Sequence, residues 1–266
     1  MKSSRSVSIG LAILTLPIAS VPYAQIGRES DTTFEMPTPI KDLGQAQVEA
    51  GEFTFVRIKY SSDEGFGESW SVDHPDAEYH FLRQIEGIAG LRVHPDGVIL
   101  ELTDSSLAQY PFIYIVEGGR LRLDDAEVVA LREYLLGGGF LMVDDFWGDG
   151  EWASLAAEMR RVFPDREPVE LWPDHEIFHS FYGIGEKPRV PSVALLTLGS
   201  VHGVGSDDAD IRGLIDDDGR VMAILCHNMD FGDAWEHLED PTYPKEFSLG
   251  GGVMMGVNIV VYALAH

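Results

Sequence analysis

Four short apolar runs, separated by helix-like stretches and turn residues, constrain this chain more than any other feature. They are FTFVRIKY (53–60), VILELT (98–103), PFIYIVEGG (111–119) and FLMVDD (140–145). FTFVRIKY carries bulk on both faces and FLMVDD is continuously apolar, as expected of strands buried on both sides of a parallel sheet. A helical pattern at 77–88 follows a long glycine-rich loop, and 104–110 reads as a short loop or helical turn. The stretch 124–136 is a second helix: Asp124 with Glu127 forms a capping-box pattern, and Val128, Leu131 and Leu135 share one face. Gly137 is expected to supply its left-handed end.

The second half continues the alternation. A helix is expected near 150–162, a short strand at PVELW, a short helix at DHEIFHSFY and a further strand at VALLTL (193–198). GLIDDDGRVMAILCHN reads as a hairpin turning at Asp217, Asp218 and Gly219. Val253, Val257, Val260, Val261 and Leu264 recur at helical spacing in a closing helix, which reads as a packing helix too short for a membrane anchor. Strands alternating with helices give an α/β three-layer sandwich with a mostly parallel central sheet and an antiparallel hairpin near its edge, one domain over 51–266. Residues 25–50, polar and containing Pro37, Pro39 and Gly44, read as an N-terminal arm or linker.

The first 24 residues read as a secretory signal peptide: Lys2 and Arg5 precede an apolar run, and Pro22, Tyr23 and Ala24 offer a cleavage site. The expected location is therefore periplasmic or secreted, with no transmembrane segment after signal removal. The net charge of −25 argues against nucleic acid as a partner, because such a surface repels polyanions. A single cysteine, Cys226, excludes an intramolecular disulfide, so the exported fold must rest on its core.

Chemistry is expected beyond the carboxyl ends of the strands. Asp144 and Asp145 lie there with Trp147 close behind. Adjacent residues on an extended chain point to opposite sides, so both reach one pocket only if the chain turns. His227, Asp230 and Trp235 follow the hairpin, and Trp70 and Asp73 lie in the long loop after the first strand. The string His175-Glu176-Ile177-Phe178-His179 satisfies the spacing H-E-x-x-H of zinc proteases. Pro173 and Gly183 confine any helix there to about two turns, and the alternative is a surface helix capped by Asp174. Cys226 follows a strand, but Leu225 and His227 beside it do not suit a nucleophile elbow. Phosphate-loop, dinucleotide and calcium-loop patterns do not occur.

The strings VRIKYSS, LTDSSLAQYPFIYI, LREYLLGGGFLMVDDFWG, RRVFPDREPVELWPDHEIF, NMDFGDAWE and GVNIVVYALAH, in this order over about residues 52 to 266, resemble the bacterial domain-of-unknown-function family number 4159. The resemblance implies a fold similar to class I glutamine amidotransferases, and it argues against a protease, since the family has DHEIF in the same place. It implies no activity: the amidotransferase nucleophile is a glycine-flanked cysteine, which this chain lacks. Relatives of this kind are exported or membrane-tethered, some beside envelope ATPase and von Willebrand-type genes. The leading expectation is thus a non-catalytic binding or envelope-assembly module, with a protein partner in the cell envelope or a small ligand in the strand-end cleft and no cofactor. The competing expectation is a metal-dependent hydrolase, with a divalent ion held by Asp144 or Asp145, His175, His227 and Asp230.

Overall fold

The computed structural model describes residues 34–41, 52–62, 67–199 and 209–266. The expected signal peptide at 1–24 lies outside the described residues. In chain order the elements are β1 (Val56–Ile58), β2 (Ser61–Ser62), α1 (Asp76–Ala89), β3 (Val98–Leu100), β4 (Phe112–Ile115), β5 (Leu121–Arg122), α2 (Asp125–Leu136), β6 (Phe140–Phe146), α3 (Gly148–Val162), β7 (Val169–Glu170), α4 (Val193–Thr197), β8 (Asp210–Ile215), β9 (Val221–His227), α5 (Phe231–Glu236) and α6 (Met254–Ala265).

Seven strands form one sheet in the order β3-β1-β4-β6-β9-β8-β7. The first five are parallel to one another, while β8 runs antiparallel to β9 and β7 antiparallel to β8. Numbered along the chain, the parallel strands stand 2-1-3-4-5, a doubly wound order whose switch point lies between β1 and β4. Strand alternation divides the core. Phe112, Tyr114, Phe140 and Met142 face the layer holding α1, α5 and α6, and Ile113, Ile115, Leu141 and Val143 face α2 and α3. Both faces of β6 are covered, which is why its sequence shows no polar alternation.

The helices form where apolar residues recur every three or four positions. In α1, Ala77, Phe81, Leu82, Ile85 and Ala89 are buried, and Gly90 in the left-handed region ends the helix. The capping box of α2 is present, with Glu127 N donating to Asp124 Oδ1 and Asp124 N to Glu127 Oε2, both at 2.8 Å. The left-handed glycine after α2 is Gly138 (φ 102°) and not Gly137 (φ −77°), because Gly137 still closes a helical bond to Glu133 O.

Two further readings are corrected. VALLTL is helical in α4 rather than a strand: Ser192 Oγ accepts from Leu195 N and Asp233 Oδ2 from Val193 N, so the two caps set a helix start that the apolar run does not reveal. The closing helix is longer than expected. A π-helical stretch, Glu246–Val253, runs into α6, and the 20-residue whole, with an 18-residue window of mean hydropathy 1.7, is long and apolar enough to cross a membrane. Most of it is buried in the core of the domain, where Asn258 holds the N–H groups of Phe181 and Tyr182. Of the expected arm, residues 34–41 are described and touch the domain: Ile40 N donates to Phe181 O at 2.9 Å, and Phe34 lies against Gly250.

Candidate functional site

A cavity of about 380 Å³ opens beyond the carboxyl ends of β4 and β6, beside the switch point. A larger one, about 530 Å³, sits at the opposite end of the sheet, between Leu107, Tyr110, Pro111 and the turn at Gly138 and Gly139. The first gathers six acids, whereas the second has only Asp104 and Glu133. Its charged lining is Asp73, Glu117, Asp145, Glu151, Asp230 and Asp233, with Arg120 among them. Val72, Trp147, Ala194, Leu195 and Leu198 supply apolar surface, and Ser192 also lines it.

Local backbone geometry puts these groups there. Among the described residues four that are not glycine have positive φ: Asp73 (62°), Glu117 (51°), Asp145 (51°) and Asn228 (57°). Glu117, Asp145 and Asn228 lie where β4, β6 and β9 end, and Asp73 lies three residues before α1. Left-handed backbone at such residues is uncommon and concentrates at functional sites. The pairing of β6 with β9 shifts register between Val143 and Phe146, and this irregularity separates the two adjacent acids. Asp144 turns into the protein, where Oδ2 accepts from Tyr114 Oη (3.0 Å), Phe231 N (2.7 Å) and Gly232 N (3.0 Å). Its work there is to cap α5. Asp145 lines the cavity instead, with Oδ1 accepting from Trp147 Nε1 at 2.6 Å.

Asp73 is held by a buried strut. Arg57 of β1, 1% exposed, donates through Nη1 to Trp70 O (3.0 Å) and Val72 O (2.9 Å), pairs through Nε with Glu78 of α1, and lies over the Tyr114 ring. The loop before Asp73 is thereby fixed at two carbonyls. Gly232 allows the close approach of α5, since a Cβ there would stand 2.1 Å from Asp73 Oδ2. On α5, Asp230 is the N-cap and takes Asp233 N at 2.8 Å, and Asp233 in turn holds Val193 N at 2.7 Å. One donor oxygen each from Asp73, Asp230 and Asp233 lies within 4.8 Å of the others.

So many carboxylates gathered and partly buried in one place cannot all be charged at little cost. Burial first, then the charges of Asp233 and Glu236, push Asp73 up to about 8. Burial raises Asp144 to about 7 despite its three donors. Burial also holds Asp145 well above the usual range, helped by Glu117, and does the same for Asp230, helped by Asp145 and Asp233. Asp73 Oδ2 and Asp144 Oδ1 are buried acceptors without a hydrogen-bond partner.

Of the sequence candidates, Asp73, Asp145, Trp147 and Asp230 line the cavity, and Asp144 stands directly behind it. Trp70, His175, His227 and Trp235 are not part of its lining. Trp70 packs beside Lys59, and Trp235 is a core residue stacked on Phe81 at 4.0 Å. His227 stacks on Phe146, with Nε2 on Gly148 O at 3.0 Å. The H-E-x-x-H string does not form a two-histidine face: Glu176–His179 is a single 3-10 turn, His175 is its N-cap in place of the expected Asp174, and His179 Nε2 bonds Pro173 O. Cys226 is wholly buried inside β9, its thiol pushed up by burial, so it has neither the turn nor the exposure of a nucleophile. Glu117, Glu151, Asp233 and Arg120 were not among the candidates. Glu117 sits in an EGGR string that reads as an ordinary turn, and Arg120 bridges Glu117 (2.7 Å) and Glu151 (3.4 Å).

Fold and cleft define an α/β protein with a doubly wound sheet and an acid-lined pocket at its strand ends. The chain belongs to the family described as Domain of unknown function (DUF4159), whose family model matches residues 54–264. No curated protein matches the chain.

Proposed function

We propose that this is a cation-binding domain, a non-catalytic module built on an amidotransferase-like fold without amidotransferase chemistry. The observation that supports it best is the convergence of Asp73, Asp230 and Asp233, three acids from two distant segments, to within 4.8 Å. Folding brings their charges together against mutual repulsion, and a bound cation offsets that cost. The strand order and the two covering helical layers favour the amidotransferase-like comparison, and the burial of Cys226 speaks against its chemistry. With the leader-like N-terminus and the acidic surface, the module works in the periplasm or outside the cell, on a protein partner of the envelope or a small ligand. Cell fractionation tests the location: a cytoplasmic, full-length product would overturn it.

Binding is tested by thermal unfolding in chelator-treated phosphate buffer with added cations. A ligand specific for the native state raises the midpoint with its concentration. The expected result is a saturable rise that Asp145→Asn with Asp230→Asn abolishes, and no response to any metal or organic cation would overturn the reading. A metal-dependent hydrolase is the second reading, favoured by an Asp73 that titrates near neutrality, where general bases operate. It would have to work with carboxylates alone, because His175 and His227 are not in the cavity lining.

A further inference from the structure

We infer that the cleft takes an organic cation carried on a hydrocarbon body, an alkylammonium or alkylguanidinium group, in preference to a bare metal ion. This rests on the cation-binding reading and adds the chemical class of the ligand. The cavity, about 380 Å³, has the volume of a small-molecule pocket. Its two kinds of lining come from different places. The acids stand on strand ends, the Asp73 loop and α5, whereas Ala194, Leu195 and Leu198 come from α4 and its end, joined by Val72. Leu198 is 80% exposed, a large apolar side chain on the cavity wall with little covering it. A metal ion makes no use of such surface, since hard cations seek oxygen ligands on all sides.

The hydrogen-bond inventory points the same way. Asp145 Oδ1, Asp230 Oδ1 and Asp233 Oδ2 are already engaged by N–H groups, which favours a ligand that needs a few directed acceptors over one that needs a full oxygen shell. Asp73 Oδ2 and Asp144 Oδ1 are unpartnered but closed to solvent, so they lie behind the lining rather than in contact with a ligand. An ammonium brings three N–H donors and a guanidinium five, while a metal ion brings none. Trp147, tethered by its own Nε1 to Asp145, presents an indole to the same space, and aromatic faces attract organic cations. Such a cation arrives either as a free amine or as a lysine or arginine side chain of another protein, and the chemistry at the acids is shared.

The test is calorimetric titration of the full chain, in cacodylate, with ammonium, ethyl-, butyl- and pentylammonium, with Nα-acetyl-lysine methylamide, and separately with magnesium, calcium, manganese and zinc. Affinity should climb about three- to fourfold per methylene along the amines, as burial of hydrocarbon requires. Leu195→Ser with Leu198→Ser should flatten that climb, whereas Asp230→Asn should weaken every amine at least tenfold while keeping the climb. Binding of the blocked lysine as tightly as pentylammonium assigns the ligand to a protein side chain, and its exclusion assigns it to a free amine. Metal binding together with amines that show no chain-length dependence would overturn the inference and leave the cation site standing. No binding by either series would remove both.

Discussion

Replacing Asp73 by asparagine should make the protein more stable in alkaline solution, although the side chain lies in the proposed site. Asparagine keeps the shape and tolerates the left-handed backbone (φ 62°) as aspartate does, so the change is chiefly one of charge. The folded protein raises Asp73 from 3.8 to about 8, first by burial and then through Asp233 and Glu236. A carboxyl raised on folding binds its proton more tightly in the native state. Its contribution is therefore fully present below the unfolded value and is lost as pH climbs through the folded one. Four units at about 1.4 kcal/mol each set a ceiling of about 6 kcal/mol if Asp73 bore the repulsion alone. It shares that repulsion with Asp144, Asp145 and Asp230, which ionise more readily once it is neutral, so roughly 2 kcal/mol is the expected gain at pH 8.5. Urea unfolding of both proteins between pH 5 and 8.5, in amine-free and metal-free buffer, measures it. The difference should favour asparagine and grow with pH across this range, since it vanishes only below the unfolded value of 3.8. A difference that stays flat, or that favours aspartate at pH 8.5, would refute the reasoning.

Other expectations follow from single contacts. Gly232→Ala places a methyl group 2.1 Å from Asp73 Oδ2 and should abolish the cation response at concentrations that saturate the wild type, read by thermal shift. Asp124→Ala removes a capping box that is not part of the cavity lining and should cost about 1 kcal/mol in urea unfolding with cation affinity unchanged. Cys226, wholly buried, should resist a thiol reagent in the native protein and react on unfolding, and rapid native labelling would contradict its placement. Trp235→Ala should cost about 3–5 kcal/mol, since it empties the contact with Phe81 and frees the Gly252 carbonyl bonded to Nε1.

The sheet was legible because its strands are short, apolar on both faces and separated by helices with visible caps. Asp124 with Glu127 is one such cap, and Gly138 shows its limit: in a run of three glycines, sequence cannot say which one takes the positive φ. VALLTL misled because apolar content alone does not separate a strand from a short helix, and its start is set by Asp233, forty residues away. DHEIFH misled in the opposite sense, since motif spacing presumes an α-helix and the chain makes one 3-10 turn. The cleft was half legible. Strand-end position pointed to Asp145 and Asp230, but the pairing of Asp73 with Asp230 and Asp233 spans more than 150 residues and depends on the Arg57 strut. Glu117 and Glu151 carry no local signal beyond being acids next to glycines.

The most direct test of a cation site is proton release on binding. Raised carboxyls at Asp73 and Asp144 hold protons near neutrality, and a cation entering among them must expel some. Calorimetric titration of the full chain at pH 7 with the tightest-binding cation, repeated in two amine-free buffers of different ionisation enthalpy, counts those protons. The account predicts a net release, smaller in Asp73→Asn. Binding with no proton released, in wild type and variant alike, would place the cation somewhere other than these acids.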